Sequence, residues 1–338
     1  MRVLVTGGAG YIGSHTVIEL LGQGHEACIV DNYVNSSPEV LTRVRGLTNG
    51  NFVAHEADVR DVPTLADIMV QFRPDAVIHF AGLKAVGDSM ADPLGYYDVN
   101  LRGTLAVLRA MEDAACRRII FSSSATVYGE PVYLPYDEAH PLNPTSVYGR
   151  TKMMSELVIG DWAAAKPGVC AALLRYFNPV GAHASARLGE DPAGVPNNLM
   201  PFIAQVATGR RARLSVWGND YDTPDGTGMR DYIHVVDLAR AHVSALDWAS
   251  SHTGARPFNI GTGKSHSVME MLAAFEAASG RKIPYQVEPR RAGDIAAMQA
   301  NPARAEAEMG WKATHSLADM ATSTWKWQSA NPDGYAKG

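Results

Sequence analysis

Gly7, Gly8, Gly10 and Gly13 stand between an apolar run, Val3-Leu4-Val5, and an amphipathic stretch from Tyr11 to Leu21. Glycines so placed let the backbone turn sharply and leave its N–H groups uncovered. A helix starting directly after them adds the positive end of its dipole, so the segment is built to meet a diphosphate. A tight turn that merely needs glycine is the alternative. Asp31 weighs against it, because it ends the next apolar run, Ala27-Cys28-Ile29-Val30. That is about the spacing at which an acidic residue grips an adenosine ribose. The pattern predicts a nicotinamide dinucleotide site held by Gly7, Gly10, Gly13 and Asp31.

The same rhythm runs through the first half of the chain. Val3–Thr6, Ala27–Val30, Phe52–Ala54, Ala76–Phe80, Ile119–Ser122 and Ala171–Leu174 read as buried strands. Helical stretches near 11–22, 38–47, 61–72, 93–114 and 146–165 lie between them. Such alternation predicts an α/β chain with a Rossmann-type, doubly wound parallel sheet. After Asn178-Pro179 the pattern breaks into loops rich in proline and glycine, until Arg230–His242 restores a strand and a helix. The expected division is a dinucleotide-binding domain of residues 1–178 plus about 230–262, and a smaller, discontinuous C-terminal substrate domain of 179–229 and 263–338. Ligands of such sheets sit at the carboxyl ends of the strands. That rule singles out Asp31-Asn32, Asp58, Phe80–Lys84, Ser122–Ser124 and Arg175–Gly181.

Net charge is −5 and no basic block occurs, which argues against a nucleic acid partner. No apolar stretch approaches the roughly 20 residues that span a bilayer. The chain opens directly on a strand with no secretory signal ahead of it, so a cytoplasmic location is expected. Cys28, Cys116 and Cys170 each lie in an apolar segment, as expected of buried reduced thiols. The eleven histidines include no His-x-x-x-His pair, and no metal site is expected.

Of the thirteen tyrosines only Tyr148 has a lysine, Lys152, four residues later, on the same face of a predicted helix. Bringing a phenol from pKa ~10 to near neutrality takes about 4 kcal/mol. One cation ~4 Å away at an effective dielectric of ~20 supplies about that much. An oxidised nicotinamide adds a second positive charge. A solvated surface pair, which would not shift, is the alternative. Ser122-Ser123-Ser124 end the preceding strand, and a hydroxyl at Ser124 can both donate and accept in a proton relay.

With these residues in view, the chain resembles the extended short-chain dehydrogenase/reductases, and among them the branch that epimerises UDP-hexoses at carbon 4. The resemblance runs nearly end to end and rests on residues 7–15, 79–87, 121–129, 173–183, 196–201 and 226–239, with Tyr148 and Lys152. It implies a homodimeric enzyme that keeps NAD bound, interconverts UDP-glucose and UDP-galactose through a 4-keto sugar, and serves galactose metabolism. Tyr148, kept ionised by Lys152, would take the proton of the 4-hydroxyl, with Ser124 assisting. The resemblance assigns Tyr11, Ile12, Asp31, Asn32, Asp58, Val59, Phe80, Ala81, Gly82, Lys84, Asn100, Ser122 and Phe177 to the cofactor. Asn178, Asn198, Leu199, Arg230, Arg291 and Asp294 fall to the UDP part and the sugar, with Lys84, Ser124 and Tyr148 also facing substrate. Trp217 lies where an aromatic would meet the uracil, and a core tryptophan is the alternative.

Two positions depart from the family pattern. Val99 replaces an asparagine beside the nicotinamide-side helix, which leaves Asn100 and removes one cofactor hydrogen bond. Met298 stands where relatives carry a bulky tyrosine or a smaller residue. Methionine can move aside, so some activity on UDP-N-acetylglucosamine and UDP-N-acetylgalactosamine is expected. A 4,6-dehydratase would need an Asp-Glu pair after the serine strand, where this chain has Ala125-Thr126. A UDP-uronate epimerase would need further contacts to the sugar carboxylate. A binding protein without turnover would have no use for Tyr148 and Lys152 together. The dimer is expected through helices near 93–114 and 146–165.

Overall fold

The structure, a computed structural model, describes residues 1–48, 51–192, 194–291 and 293–335. Six strands alternate with helices in the first half: β1 (Arg2–Thr6), β2 (Glu26–Asp31), β3 (Phe52–Glu56), β4 (Ala76–His79), β5 (Arg118–Ser122) and β6 (Cys170–Tyr176). Seven more follow: β7 (Asn178–Val180), β8 (Leu214–Trp217), β9 (Met229–His234), β10 (Gly254–Ile260), β11 (Ser265–Ser267), β12 (Tyr285–Glu288) and β13 (Ala297–Met298). The large sheet runs β10-β6-β5-β4-β1-β2-β3, with every neighbouring pair parallel. Strand side chains alternate faces, and this sheet feeds two cores. Val3, Val5, Ile78 and Ile120 pack with Val17, Leu20, Leu238 and Leu246 on one face. Leu4, Val77, Ile119 and Phe121 pack with Leu65, Met69, Val107 and Ile159 on the other. Helices on both faces make the sheet doubly wound. The chain crosses from β3 at one edge back to β4 beside β1, so the topological switch lies between β1 and β4.

A second, smaller sheet joins β9 to β7, β11 and β13, and β8 pairs with β12. The sequence pattern assigned the strand after Arg230 to the dinucleotide-binding part. In the structure β9 pairs only within the small sheet, and the chain re-enters the large sheet through the helix Val235–Ser251 and β10. The reason lies in its alternation. Tyr232 packs with Val180, Met200 and Phe275 in the small sheet's core, whereas Ile233 packs against the large sheet's core. The strand therefore ties the two cores together. The helix expected over 93–114 is three pieces, Pro93–Tyr96, a π-helical turn at Tyr97–Arg102 and Gly103–Asp113.

Candidate active site

The glycine turn fits its place tightly. Gly7 has φ +70, and a Cβ there would lie 2.7 Å from the Ala81 amide nitrogen, so the β1 and β4 ends meet backbone to backbone at the switch point. A Cβ on Gly13 would lie 2.3 Å from the Gly7 carbonyl oxygen, which seats the helix Tyr11–Gly22 directly on the turn. That helix has no side-chain cap at Gly10 and no acidic residue in its first turn. Its first amides and positive dipole end thus remain for an anion, and the residues fit a dinucleotide diphosphate. Asp31 accepts from the Ala9 amide (2.9 Å), the Tyr33 amide (3.0 Å) and the Ser36 hydroxyl (2.8 Å), so this carboxylate also braces the turn. Tyr11, expected as a cofactor contact, donates its hydroxyl to the Gly181 carbonyl at 2.6 Å. Its side chain fastens the end of β7 to the turn.

Further along the crevice, Asn32 donates to Asp58 (3.0 Å), which Arg60 grips through two nitrogens at 2.8 and 2.6 Å. The Arg60 guanidinium holds the Asp58 carboxyl well below the usual carboxylate range. Val59 is buried beside it. Asn100, assigned to the cofactor, spends its amide on protein. It accepts from the Leu83 amide (2.8 Å) and donates to the Leu83 carbonyl and the Thr151 hydroxyl, both at 3.0 Å. Its role here is to shape the Phe80–Lys84 loop, and the π-helical turn that carries it aims its side chain there.

Ser122 ends β5 with its carbonyl accepting from Lys152 Nζ at 2.8 Å and its hydroxyl bonded to Tyr176 at 2.8 Å. Ser124 caps the short turn Ala125–Val127, and its oxygen accepts from the Thr126 amide and hydroxyl at 3.2 and 2.9 Å. That leaves its own hydrogen to donate onward. Tyr148 occupies the first turn of the helix Val147–Ala165, where the dipole favours a phenolate. Burial nevertheless pushes the phenol up and Tyr176 adds to this, while the hydrogen bond with Ser124 pulls it down. Lys152 Nζ lies 6.0 Å from the centre of the Tyr148 ring and 4.9 Å from that of Phe121. Burial brings the Lys152 ammonium down to about 8, and Glu156 works against the fall.

Across the crevice the small sheet presents its cations. Arg230 lies beside Met298 in the β9–β13 register and donates to the Met229 and Ile295 carbonyls, both at 2.9 Å. Asp294 sits between Arg291 (3.0 Å) and Arg230 (3.8 Å), which leaves one net positive charge for a diphosphate. Arg291 also lies 5.7 Å from the ring centre of Trp217, which is 40% exposed at the end of β8. That exposure is too high for a core tryptophan. Asn178 opens β7, and Asn198 stands just before the helix Leu199–Ala207 without a side-chain capping bond to it. Phe177 is buried in the same cluster as Ala125 and Tyr136, with Met298 half-buried against it.

Sequence reasoning missed Glu190. Its Oε1 accepts from Lys84 and from Asn198, both at 2.9 Å, and so joins the β4 loop to the small-sheet side. Burial opposes the Lys84 charge, but Glu190 more than offsets it and raises the ammonium. Also missed were Arg60 and Glu156, whose buried partner Arg175 is singled out only as a strand end. Of the residues missed, Glu156 had a readable signal, since it extends the four-residue spacing of Tyr148 and Lys152 by one more turn. Among the described residues, no group of three or more His, Cys, Asp or Glu is placed to hold a metal ion. Nor is any helix among them long and apolar enough to cross a membrane.

Residues 3–261 match the NAD dependent epimerase/dehydratase family. UDP-glucose 4-epimerase of Bacillus subtilis is 53% identical over 335 residues, covering 99% of both chains. That of Homo sapiens is 53% identical over 341 residues, covering 99% of this chain and 98% of its own. A crystal structure of the Bifidobacterium longum UDP-glucose 4-epimerase in complex with NAD+ and UDP superposes with a TM-score of 0.96 at 51% identity, covering 99% of this chain and all of that one. The chain is thus an NAD-dependent enzyme of the epimerase/dehydratase family within the extended short-chain dehydrogenase/reductases, and the relatives it matches nearly end to end are UDP-glucose 4-epimerases.

Proposed function

We propose that this chain interconverts UDP-glucose and UDP-galactose by inverting sugar carbon 4 through a transient 4-keto sugar. The observation that carries the reading is Tyr148, with Ser124 and Lys152, at the carboxyl end of β5 between a glycine cradle and an arginine-lined small sheet. Gly7, Gly10, Gly13, Asp31, Asn32, Asp58, Val59, the Phe80–Lys84 loop, Ser122 and Phe177 would hold NAD. When bound, oxidised NAD would supply a positive ring charge and an acceptor for the hydride from sugar carbon 4, which the reduced ring would then give back to the same carbon. Tyr148 takes the proton from the 4-hydroxyl and later gives it back, and Ser124 hands that proton between hydroxyl and phenol. Lys152, fixed on the Ser122 carbonyl, adds positive charge beneath the phenol. Arg230, Arg291, Asn178, Asn198 and Trp217 hold the uridine diphosphate, so binding strength is placed away from the hexose, and the keto sugar is left able to turn over in its pocket. Purified chain given UDP-galactose and no added cofactor is expected to form UDP-glucose with no net NADH. A keto sugar released as the main product, or a demand for stoichiometric NAD, sinks the reading.

Met298 extends it. The side chain is half-buried and flexible beside Ala125 and Phe177, so N-acetylated UDP-hexoses are proposed as additional substrates. Met298→Tyr is expected to lower turnover of UDP-N-acetylglucosamine by roughly 10–200-fold, the range for added bulk in a pocket, and to leave UDP-galactose little changed. No N-acetyl turnover by the native chain refutes the extension.

The proposed assembly is a homodimer. Val86, Met90, Leu94, Leu105 and Leu157 are exposed at 45, 58, 79, 39 and 57% on helices that pack on one another. So much uncovered apolar surface fits a second copy of the chain. A mass in solution of twice 36.3 kDa is expected, and a monomer at all concentrations is the contrary result. Cys28, Cys116 and Cys170 are free and buried, with thiols raised by burial to about 12, 11 and 11. This suits the cytoplasm as the proposed location, which cell fractionation tests.

A further inference from the structure

Tyr148, Lys152 and Glu156 follow one another at intervals of four along one helix, so all three lie on one face. Glu156 is 5% exposed, yet it carries a full set of partners. Arg175 reaches it with Nε (3.0 and 3.1 Å) and Nη2 (2.6 Å), and the Ser123 hydroxyl donates to it. Arg175 Nη1 then donates to the Tyr128 hydroxyl at 3.2 Å, and that hydroxyl donates to Asn259 at 2.6 Å. The chain of bonds therefore grips the strand end on both sides of Ser124, through Ser123 before it and Tyr128 after it. It also joins β6, β10 and the Tyr148 helix. A buried ion pair is weak grounds for stability in itself, because desolvation opposes it. Its placement under the reacting groups asks for another reason.

We propose that Glu156, clamped by Arg175, is a positioning residue for the epimerisation: it fixes Ser124 through the strand end and supplies the anion that keeps Lys152 an ammonium. The inference rests on Tyr148 and Lys152 acting as proposed above. The groups facing Lys152 are Tyr148 and Glu156 on its own helix, His79 on β4, and the Phe121 ring and Ser122 carbonyl on β5. His79 is buried and held neutral, its pKa brought down to about 3 by burial and by Lys152 itself. Glu156 is thus the one anion among these neighbours. An anion stabilises the ammonium, so its removal lowers the Lys152 pKa and brings the alkaline loss of activity to lower pH.

Glu156→Gln keeps the volume and most hydrogen bonds and removes the charge. The alkaline limb of its kcat profile with UDP-galactose is expected to move about one unit toward neutrality. On the far side of that limb kcat falls about tenfold, with KM changed by less than about threefold. Glu156→Asp is expected to restore the limb. Arg175 left unpaired could unfold the single variant, so Glu156→Gln/Arg175→Met is measured as well; it removes an anion and its bonded cation together, and its limb is expected to move in the same direction by less. An unmoved alkaline limb in a folded variant overturns the inference, and failure of both variants to fold with bound NAD reassigns the pair to structure alone. Tyr148→Phe separates the two readings. If it stays active the acid–base assignment has failed, and if it is inactive while Glu156→Gln is normal only the present inference has.

Discussion

Tyr148→Phe is expected to lower turnover of UDP-galactose by roughly 10²–10⁴-fold, the usual worth of a positioned proton-transfer group, while bound NAD is retained. The substitution removes one oxygen and keeps the ring. That ring packs with Tyr96 and Val147 in a small cluster, so volume and burial survive. The Tyr148 amide still donates to Ser89 and its carbonyl still accepts from Thr151, so the start of the helix is held as before. Ser124 loses its partner but keeps its bonds from Thr126. The Ser124 hydroxyl is left without its acceptor, but no buried cation is orphaned, since Lys152 keeps its bond to the Ser122 carbonyl, which separates this change from a fold defect. KM for UDP-galactose should move little, because in the proposed reading the uridine diphosphate is held on the far side of the crevice by Arg230 and Arg291. The measurement is kcat and KM with UDP-galactose, together with the NAD content of the purified variant. Activity within tenfold of the native chain would remove Tyr148 from the chemistry, and lost NAD would make it a binding residue.

Much of the frame was legible because it follows from local rules. Strands such as Val3-Leu4-Val5 are buried on both faces and read as continuous apolar runs, and the glycines of the turn mark where no side chain fits. What the sequence hid was decided over distance. Periodicity shows that Met229–His234 is a strand but not which sheet it joins, since Tyr232 and Ile233 serve two cores. The π-helical turn at Tyr97–Arg102 keeps a helical pattern of apolar residues, so only the placement of Asn100 against Leu83 reveals it. Lys84, Glu190 and Asn198 lie more than a hundred residues apart at the extremes, and nothing local announces that one carboxylate holds both partners. The bond from Lys152 to the Ser122 carbonyl was likewise invisible, because helical spacing fixes the face and not the path that the side chain takes.

The second large effect is expected at Gly13. Gly13→Ala should leave the purified protein with little NAD and lower its stability by about 1–3 kcal/mol, the ordinary range for overpacking. The new methyl would stand 2.3 Å from the Gly7 carbonyl oxygen and 2.8 Å from the Gly8 Cα, and both are backbone atoms that cannot swing aside like a side chain. Gly7 cannot retreat, since it already rests against the Ala81 amide with φ +70. Gly8 is blocked by Ile29 behind it, whose Cγ2 lies 2.8 Å from where a Cβ on Gly8 would be. The helix must therefore lift away from the turn. Its first amides then leave the position where the diphosphate would meet them, and each 1.4 kcal/mol of lost contact is tenfold in affinity. Gly22 on the same helix supplies the control, because nothing lies within 4 Å of a Cβ there. Gly22→Ala should keep its NAD and melt at or slightly above the native temperature, as replacing a helical glycine reduces the freedom of the unfolded chain. Melting curves with and without added NAD separate the effects. A cofactor site defect predicts that excess NAD recovers most of the lost melting temperature in Gly13→Ala. If that variant carries full NAD and melts like the native chain, the tight seating of helix on turn is not what holds the dinucleotide through turnover.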